Sequence, residues 1–303
     1  MLATLGDLVE DVIVRLGGPI NVASDTPATI GRRRGGSAAN TAAVAARRGL
    51  PARFLGQVGD DAIGTALLAE LAADGVDVTH VRRGGDTGTI VALVDHRGER
   101  TMLTDRRACT ALERPDPAWL DGIDVLHVPL YSLAAEPVAA TATAVIGWAN
   151  RRGVAVSIDV SSTAVMSDMG VDTVRSLLER LRPAIVLANR DEAALLEIDG
   201  PVAGAITIVK RGADPAAAYA PGRDVVEVPA IAVDAVDDTT GAGDAFTAGL
   251  LGHTGWRDGA ADGLAGLAAA VEAGHRVAAD LLETRHLTTR HLETRHLQTR
   301  NLP

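Results

Sequence analysis

The stretch "VAVSIDV", residues 154–160, decides how the chain is read. Apolar residues run here almost without interruption instead of alternating with polar ones, and a strand of that composition is buried on both faces. Three more runs share this character: "VLHVPL" (125–130), "AIVLAN" (184–189) and "AITIVK" (205–210). Ala- and Leu-rich stretches of helical period separate them. "AIGTALLAELAADG", from Ala62 to Gly75, stops on a glycine; "DTVRSLLERLRP", from Asp172 to Pro183, is expected to open on an aspartate cap and end at proline. Strands alternating with helices predict an α/β fold, a doubly wound, mostly parallel sheet.

Two regions break the alternation. Asp11 to Arg34 reads as extended, with Gly17, Gly18 and Pro19 as turn formers, and "TGTIVALVDHRGERTMLTD" (87–105) reads as a hairpin turning near "HRGE". Neither has a helix to cover its second face. Segments 11–34 and 87–105 are therefore expected to pair as a small projecting sheet, a β lid; an edge extension of the main sheet or a dimer contact is the alternative. Pairing of two lids would bury an exposed sheet face, which makes a homodimer a candidate assembly. At the other end, "ETRHLTTRHLETRHLQTRNL" repeats with a five-residue step. Such a step rotates about 140° per repeat on a helix, so no face collects the leucines. The spacing of His286, His291 and His296 does not suit a metal site, and residues 283–303 are expected to form a solvated tail.

Composition narrows the function. A chain of 303 residues with 47% hydrophobic content can bury a large core. Its formal net charge of −10 argues against nucleic acid or an anionic membrane as partner, because Lys and Arg supply most of the affinity for phosphate polymers. A small molecule is the expected ligand. Lys210 is the only lysine, which singles it out. The single cysteine, Cys109, excludes an internal disulfide framework and thiolate metal clusters, as expected of a reduced, cytoplasmic protein. The opening "MLATLGDLVEDV" carries Asp7, Glu10 and Asp11 where a signal peptide would be basic and then apolar, and no later run reads as a membrane span.

In open α/β sheets, ligands sit beyond the carboxyl ends of the strands. Asp159 closes one strand, Asn189 closes the next and is followed by Glu192, and Lys210 with Gly212 closes a third. The run "DTTGAGDAF" (238–246) adds Gly241 and Gly243 at a helix start, where backbone N–H groups can cradle an anion. Asp244 follows directly. It reads either as an ordinary helix-start acid favoured by the dipole or as the base that takes the proton of an alcohol attacking a phosphoryl group. A second glycine pair opens "GGSAANTAAVAARRG" (35–49), with Asn40 one turn in, able to donate to and accept from hydroxyls. Asp7 and Asp11, beside the first strand, could accept from a polyol or serve turn chemistry.

"GGSAAN" (35–40) followed by "DTTGAGDAF" (238–246) resembles the paired signatures of the ribokinase-like, PfkB-type carbohydrate kinases. The likeness extends to Gly6-Asp7 with Asp11, to "GQVGDDAIG" (56–64) and to "NRDE" (189–192). It implies a ribokinase-like kinase domain over residues 1–282 with a small β lid, and ATP-dependent phosphorylation of a hydroxyl of a sugar or sugar derivative. By resemblance, Asp244 would be the catalytic base, and Gly241, Ala242 and Gly243 the anion hole. Asp11, Gly35, Gly36 and Asn40 match sugar-binding positions. Asn189 and Glu192 match an element that places magnesium and phosphates, mostly through water, and Lys210 and Gly212 match the turn beside the nucleotide. Asp238 and the carbonyl of Thr240 lie where some relatives hold a monovalent cation, so the resemblance allows for K+ beside ATP and Mg2+.

The chain also departs from the pattern. Where many sugar kinases have Gly-Ala-Asn after the second lid strand, it has "DRRACTAL" (105–112). Arg106 and Arg107 could meet a sugar acid or sugar phosphate, or be a solvated pair of charges. Pro215 stands where a glycine is usual, and "RRR" (32–34) reads as lid surface. A nucleoside kinase and a sugar sensor without turnover are the alternative functions; a nucleoside pocket would be expected to stack a base, and the lid segments hold no Trp or Tyr.

Overall fold

The computed structural model describes residues 1–234, 236, 238–257 and 264–300, with side chains in the last helix as far as Thr284. Two compact units, Met1–Ile158 and Asp159–Pro303, divide the chain.

The first unit contains β1 (Leu2–Leu5), β2 (Val9–Leu16), β3 (Ala28–Gly35), α1 (Ser37–Arg47), β4 (Ala52–Leu55), β5 (Gln57–Val58), α2 (Ala62–Ala73), β6 (Arg82–Arg83), β7 (Thr89–Val94), β8 (Arg100–Asp105), β9 (Val125–Pro129), α3 (Val138–Arg152) and most of β10 (Ala155–Asp159). Its core strands run in the order β10-β9-β1-β4, with β1 parallel to both neighbours. Leu2, Leu5, Phe54, Leu55 and Leu126 are buried in these strands, as the unbroken apolar runs require. Helix α1 packs on β1 and β4 through Ala38, Ala39, Ala42 and Ala45, all buried, whose small side chains let helix and sheet approach closely. Asp61 caps α2, its side chain accepting from the backbone N–H of Gly64 at 2.7 Å.

A separate four-stranded sheet has the order β3-β2-β7-β8. Strands β2 and β3 are antiparallel, β2 and β7 parallel, and β7 and β8 antiparallel. The two segments without covering helices thus pair with each other, and Asp11 lies within β2, not ahead of it. The β7–β8 turn is set by Asp95, whose carboxylate accepts from the backbone N–H groups of Arg97 and Glu99. Ile30, Met102 and Leu103 are exposed on this sheet.

The second unit contains α4 (Thr163–Met169), α5 (Val171–Leu181), β11 (Ile185–Asn189), α6 (Arg190–Leu195), β12 (Ile206–Lys210), β13 (Ala216–Tyr219), β14 (Val226–Val228), α7 (Ala242–Gly252) and α8 (Leu264–Arg300). Its strands follow the order β14-β13-β12-β11. β11 and β12 are parallel, but β13 and β14 continue antiparallel, and the sequence did not announce them: "AAAY" carries no β-branched residue. The expected cap of α5 is also corrected. Gly170, with φ 85°, is the N-cap and breaks the chain between α4 and α5; Asp172 sits inside the first turn, where it complements the helix dipole instead. Helix α8 packs on α7, with His275 meeting Phe246 edge to face at 5.2 Å. It remains helical through the repeat; the side chains of His286, His291 and His296, and residues 301–303, lie outside the described residues. Among the described residues no helix is long and apolar enough to cross a membrane.

Candidate active site

In the first unit, the acidic residues near β1 are held by arginines. Asp7 is engaged on both oxygens by Arg106, which donates from Nε and Nη2 at 2.7 Å each and from Nη1 to the Tyr131 carbonyl at 3.0 Å. The side chains of Asp7 and Arg106 are 10% and 16% exposed. Burial works to lower the Arg106 pKa, but the Asp7 carboxylate outweighs it and the pKa is raised. Sequence suggested a cation offered to an anionic substrate or to water; the structure pairs it with Asp7. Arg107 is exposed and pairs with Asp105 and Asp86.

Asp11 lies on β2 beside Arg33, with Nε 3.6 Å from its Oδ2. Burial raises its pKa, and the attraction of Arg33 opposes the rise only in part. Its carboxylate packs directly on the backbone of Gly35, where a Cβ would stand 2.1 Å from Oδ1. Gly36 follows as the N-cap of α1, with φ 100°, and a Cβ there would meet the Asp7 carbonyl oxygen at 2.1 Å. Only glycine fits such a position. The pair brings Asp7, Asp11 and the first turn of α1, with Asn40, to one end of β1.

The second unit assembles the strand-end residues. Asn189 and Lys210 are neighbours in the β11–β12 register. Lys210 Nζ donates to Asp159 Oδ2 at 2.5 Å, and the Asp159 Oδ1 accepts from the backbone N–H of Ser161. Asn189 and Glu192 form a reciprocal capping box at the start of α6: Asn189 Oδ1 accepts from the Glu192 N–H, while the two Glu192 oxygens accept from the Asn189 backbone and side-chain amides at 2.7 Å. Burial, then repulsion from Asp159, pushes the Glu192 pKa up to about 7. Burial would depress Lys210, yet attraction from Asp159, then Glu192 and Asp244, raises its pKa and keeps it charged.

Helix α7 completes the arrangement. Gly241, with φ 78°, is its N-cap, and Asp244 stands in its first turn. A Cβ on Gly243 would lie 3.6 Å from Lys210 Nζ, so the lysine sits against the amide end of the helix. Ahead of it, Asp238 Oδ1 accepts from the Thr240 N–H at 2.9 Å and hydroxyl at 2.5 Å. Gly212 takes φ 65° in the turn after β12. A helix amide end, a charged lysine and a nearby carboxylate can hold a phosphate and handle a proton beside it. Among the described residues no group of three or more His, Cys, Asp or Glu is placed to hold a metal ion unaided. Sequence reasoning missed the pairing of Asp7 with Arg106, separated by 99 residues. It named Asp159 and Lys210 without foreseeing their contact, for which strand order is the only advance signal.

The family model described as pfkB family carbohydrate kinase matches residues 1–295. The chain is 38% identical over 228 residues to an ATP-dependent ribose-1-phosphate kinase of Halopiger xanaduensis, covering 72% of each chain. It is 35% identical over 237 residues to a fructokinase of Klebsiella pneumoniae, covering 72% of this chain and 75% of that protein. Among solved structures, a probable sugar kinase from Rhizobium etli superposes with a TM-score of 0.78 at 24% identity, covering 93% of this chain and 92% of that one.

Proposed function

Because this chain belongs to the pfkB family of carbohydrate kinases, and is therefore an ATP-dependent carbohydrate kinase, we propose that it carries out in-line phosphoryl transfer with Asp244 as base. The observation that supports this most is the second-unit arrangement of Asp244 and the α7 amide end against charged Lys210. The acceptor hydroxyl gives its proton to the Asp244 carboxylate while its oxygen bonds to the γ-phosphorus of ATP; the bond from that phosphorus to the bridging oxygen breaks, and ADP leaves with the electron pair. The N–H groups of Gly241, Ala242 and Gly243 stabilise charge on the transferred group. Lys210, with Gly212 beside it, meets the nucleotide phosphates.

Mg2+ would suit this donor set: with both Glu192 oxygens engaged by Asn189, Glu192 and Asn189 would hold the ion through water, since magnesium retains several of its waters. The ion would neutralise phosphate charge. The Asp238–Thr240 turn would take K+ through the Asp238 carboxylate and the Thr240 carbonyl.

For the acceptor we infer a sugar whose hydroxyls bind Asp11, Asn40 and the backbone of Gly35 and Gly36. Arg106 acts by holding Asp7 in place, leaving Arg33 as the cation beside Asp11 for a sugar that carries an acid or phosphate group. Strands β2, β3, β7 and β8 contain no aromatic residue, which disfavours a nucleoside. Exposed Ile30, Met102 and Leu103 suit a homodimer through this sheet, and the lone free thiol of Cys109 suits the cytoplasm.

The test is ADP release with Mg-ATP across neutral sugars, sugar acids, sugar phosphates and nucleosides, with Asp244→Asn run in parallel. Turnover with one class is expected to fall by about 10²–10⁴-fold in the variant, with acceptor affinity and thermal stability kept. Turnover undiminished in Asp244→Asn refutes the assignment of the base.

A further inference from the structure

A cavity of about 570 Å³ opens in the first unit between the β5–β6 ladder and the turns that follow β8. Its volume is that of a small-molecule site, and none of the residues assigned above to acceptor, nucleotide or phosphoryl transfer lines it. Three arginines do: Arg82, Arg83 and Arg114. The carboxylates of Glu113 and Asp116 also line it, so the arginines outnumber the carboxylates by one, and among the described residues two of the three arginines lack a counter-ion. Arg82 lies 5.6 Å over the ring of buried Trp119 and donates from Nη2 to the Arg114 carbonyl at 2.9 Å. No carboxylate pairs with it among the described residues, and its Nε is buried without a hydrogen-bond partner. The guanidinium is thus pinned in place by contacts that leave its charge unanswered.

Arg114 makes no side-chain hydrogen bond or ion pair among the described residues, and its φ of 50° lies in the left-handed region that non-glycine residues seldom adopt. Arg83 is held by Asp60 and Thr65. The other polar side chains of the lining are Gln57, Thr79, His80, Glu113 and Asp116; the Asp116 carboxylate accepts from the Ala118 N–H, and the Gln57 amide, Thr79 and Glu113 are suited to hydroxyls.

We propose that this cavity is an effector site for a sugar phosphate, the chemical class that a carbohydrate kinase makes. Arg82 and Arg114 take the phosphate oxygens through charge-assisted hydrogen bonds, while Gln57 and Glu113 meet the sugar hydroxyls. Preorganisation of Arg82 on Trp119 means that little order has to be created on binding.

Trp119 is the local reporter. The chain has three tryptophans, so protein labelled with 5-fluorotryptophan gives three ¹⁹F resonances, that of Trp119 being assigned by its loss in Trp119→Phe. Titration with ribose 5-phosphate should shift the Trp119 resonance saturably. In Arg114→Met, a change at an exposed residue, the apparent affinity should weaken about tenfold or more, while kcat/KM measured without effector stays within about twofold, as for a residue outside the reaction path. The proposal is overturned if the resonance does not move, if Arg114→Met leaves the titration unchanged, or if inorganic phosphate reproduces the shift at the same concentration. Because Trp119 and Arg114 line this cavity and neither is assigned to phosphoryl transfer, the dependence of the titration on Arg114 is distinguishable from any failure of the role given to Asp244.

Discussion

Replacing Asp7 with alanine removes both carboxylate acceptors of the Arg106 guanidinium, at 2.7 Å each, and leaves it only the Tyr131 carbonyl, with 16% of its side chain exposed. The arginine cannot shed its proton and has little water to turn to, so the cost is that of an uncompensated buried charge, about 3–5 kcal/mol. For a chain of this size that lowers Tm by roughly 6–10 °C, at about 2 °C per kcal/mol. Arg106→Met strands Asp7 in the same way and should cost a similar amount. Removing both, as in Asp7→Leu with Arg106→Met, leaves no unpaired charge and should recover most of the loss, because a buried ion pair is worth little against an apolar pair of similar volume. Urea denaturation of the wild type, both single variants and the double variant supplies the cycle. Additive costs, or a single-variant loss below about 1 kcal/mol, would refute the reading of the pair as a buried clamp. If Arg106 instead reads the substrate, Arg106→Met will raise the acceptor KM at unchanged stability.

Lys210→Met should weaken Mg-ATP binding and lower kcat/KM about 10²-fold or more, on the scale of a lost charge-stabilising donor; unchanged nucleotide affinity by calorimetry would remove the lysine from the phosphate site. Asp77 gives a pH signature. Burial works against its charge, but hydrogen bonds from Thr79 and the Arg53 guanidinium hold its pKa down at about 2, against 3.8 for the free group. A depressed pKa stabilises above the unfolded value, so the contribution of about 2 kcal/mol is full at neutral pH and lost as pH falls from 3.8 through 2. Asp77→Asn should therefore be less stable than wild type at pH 7, and the two should converge near pH 2; a constant gap would contradict the linkage. Burial pushes the Cys109 thiol up to about 12, so a thiol reagent at pH 8 should label it only at the rate of unfolding, and rapid labelling of the native protein would refute its burial.

Four strands, β9 to β12, were legible to within a residue or two because burial on both faces leaves an unbroken apolar run that needs no partner to be recognised. The Asn189–Glu192 box was equally local, a three-residue spacing with a fixed hydrogen-bond consequence. What escaped depended on distant partners. The β5–β6 ladder is two residues long, β13 is nearly all alanine, and Gly170 displaced the cap given to Asp172. Arg106 looked like a free cation because its partner lies 99 residues earlier. Arg82 and Arg114 carry no motif at all; only the cavity brings them together.

Strand β2 rises from the buried pair Leu8 and Val9 and carries Asp11 near its root. At about 3.4 Å per residue, Asp11 stands roughly 7 Å from Val9 and Leu16 roughly 24 Å. The strand is therefore geared like a lever with its fulcrum at the root. A tilt of about 10° would sweep the outer end through roughly 4 Å yet shift the aspartate by only about 1 Å, on the same rise per residue. Large excursions at the solvent end would thus reach the Asp11 carboxylate scaled down to the tolerance of a single hydrogen bond.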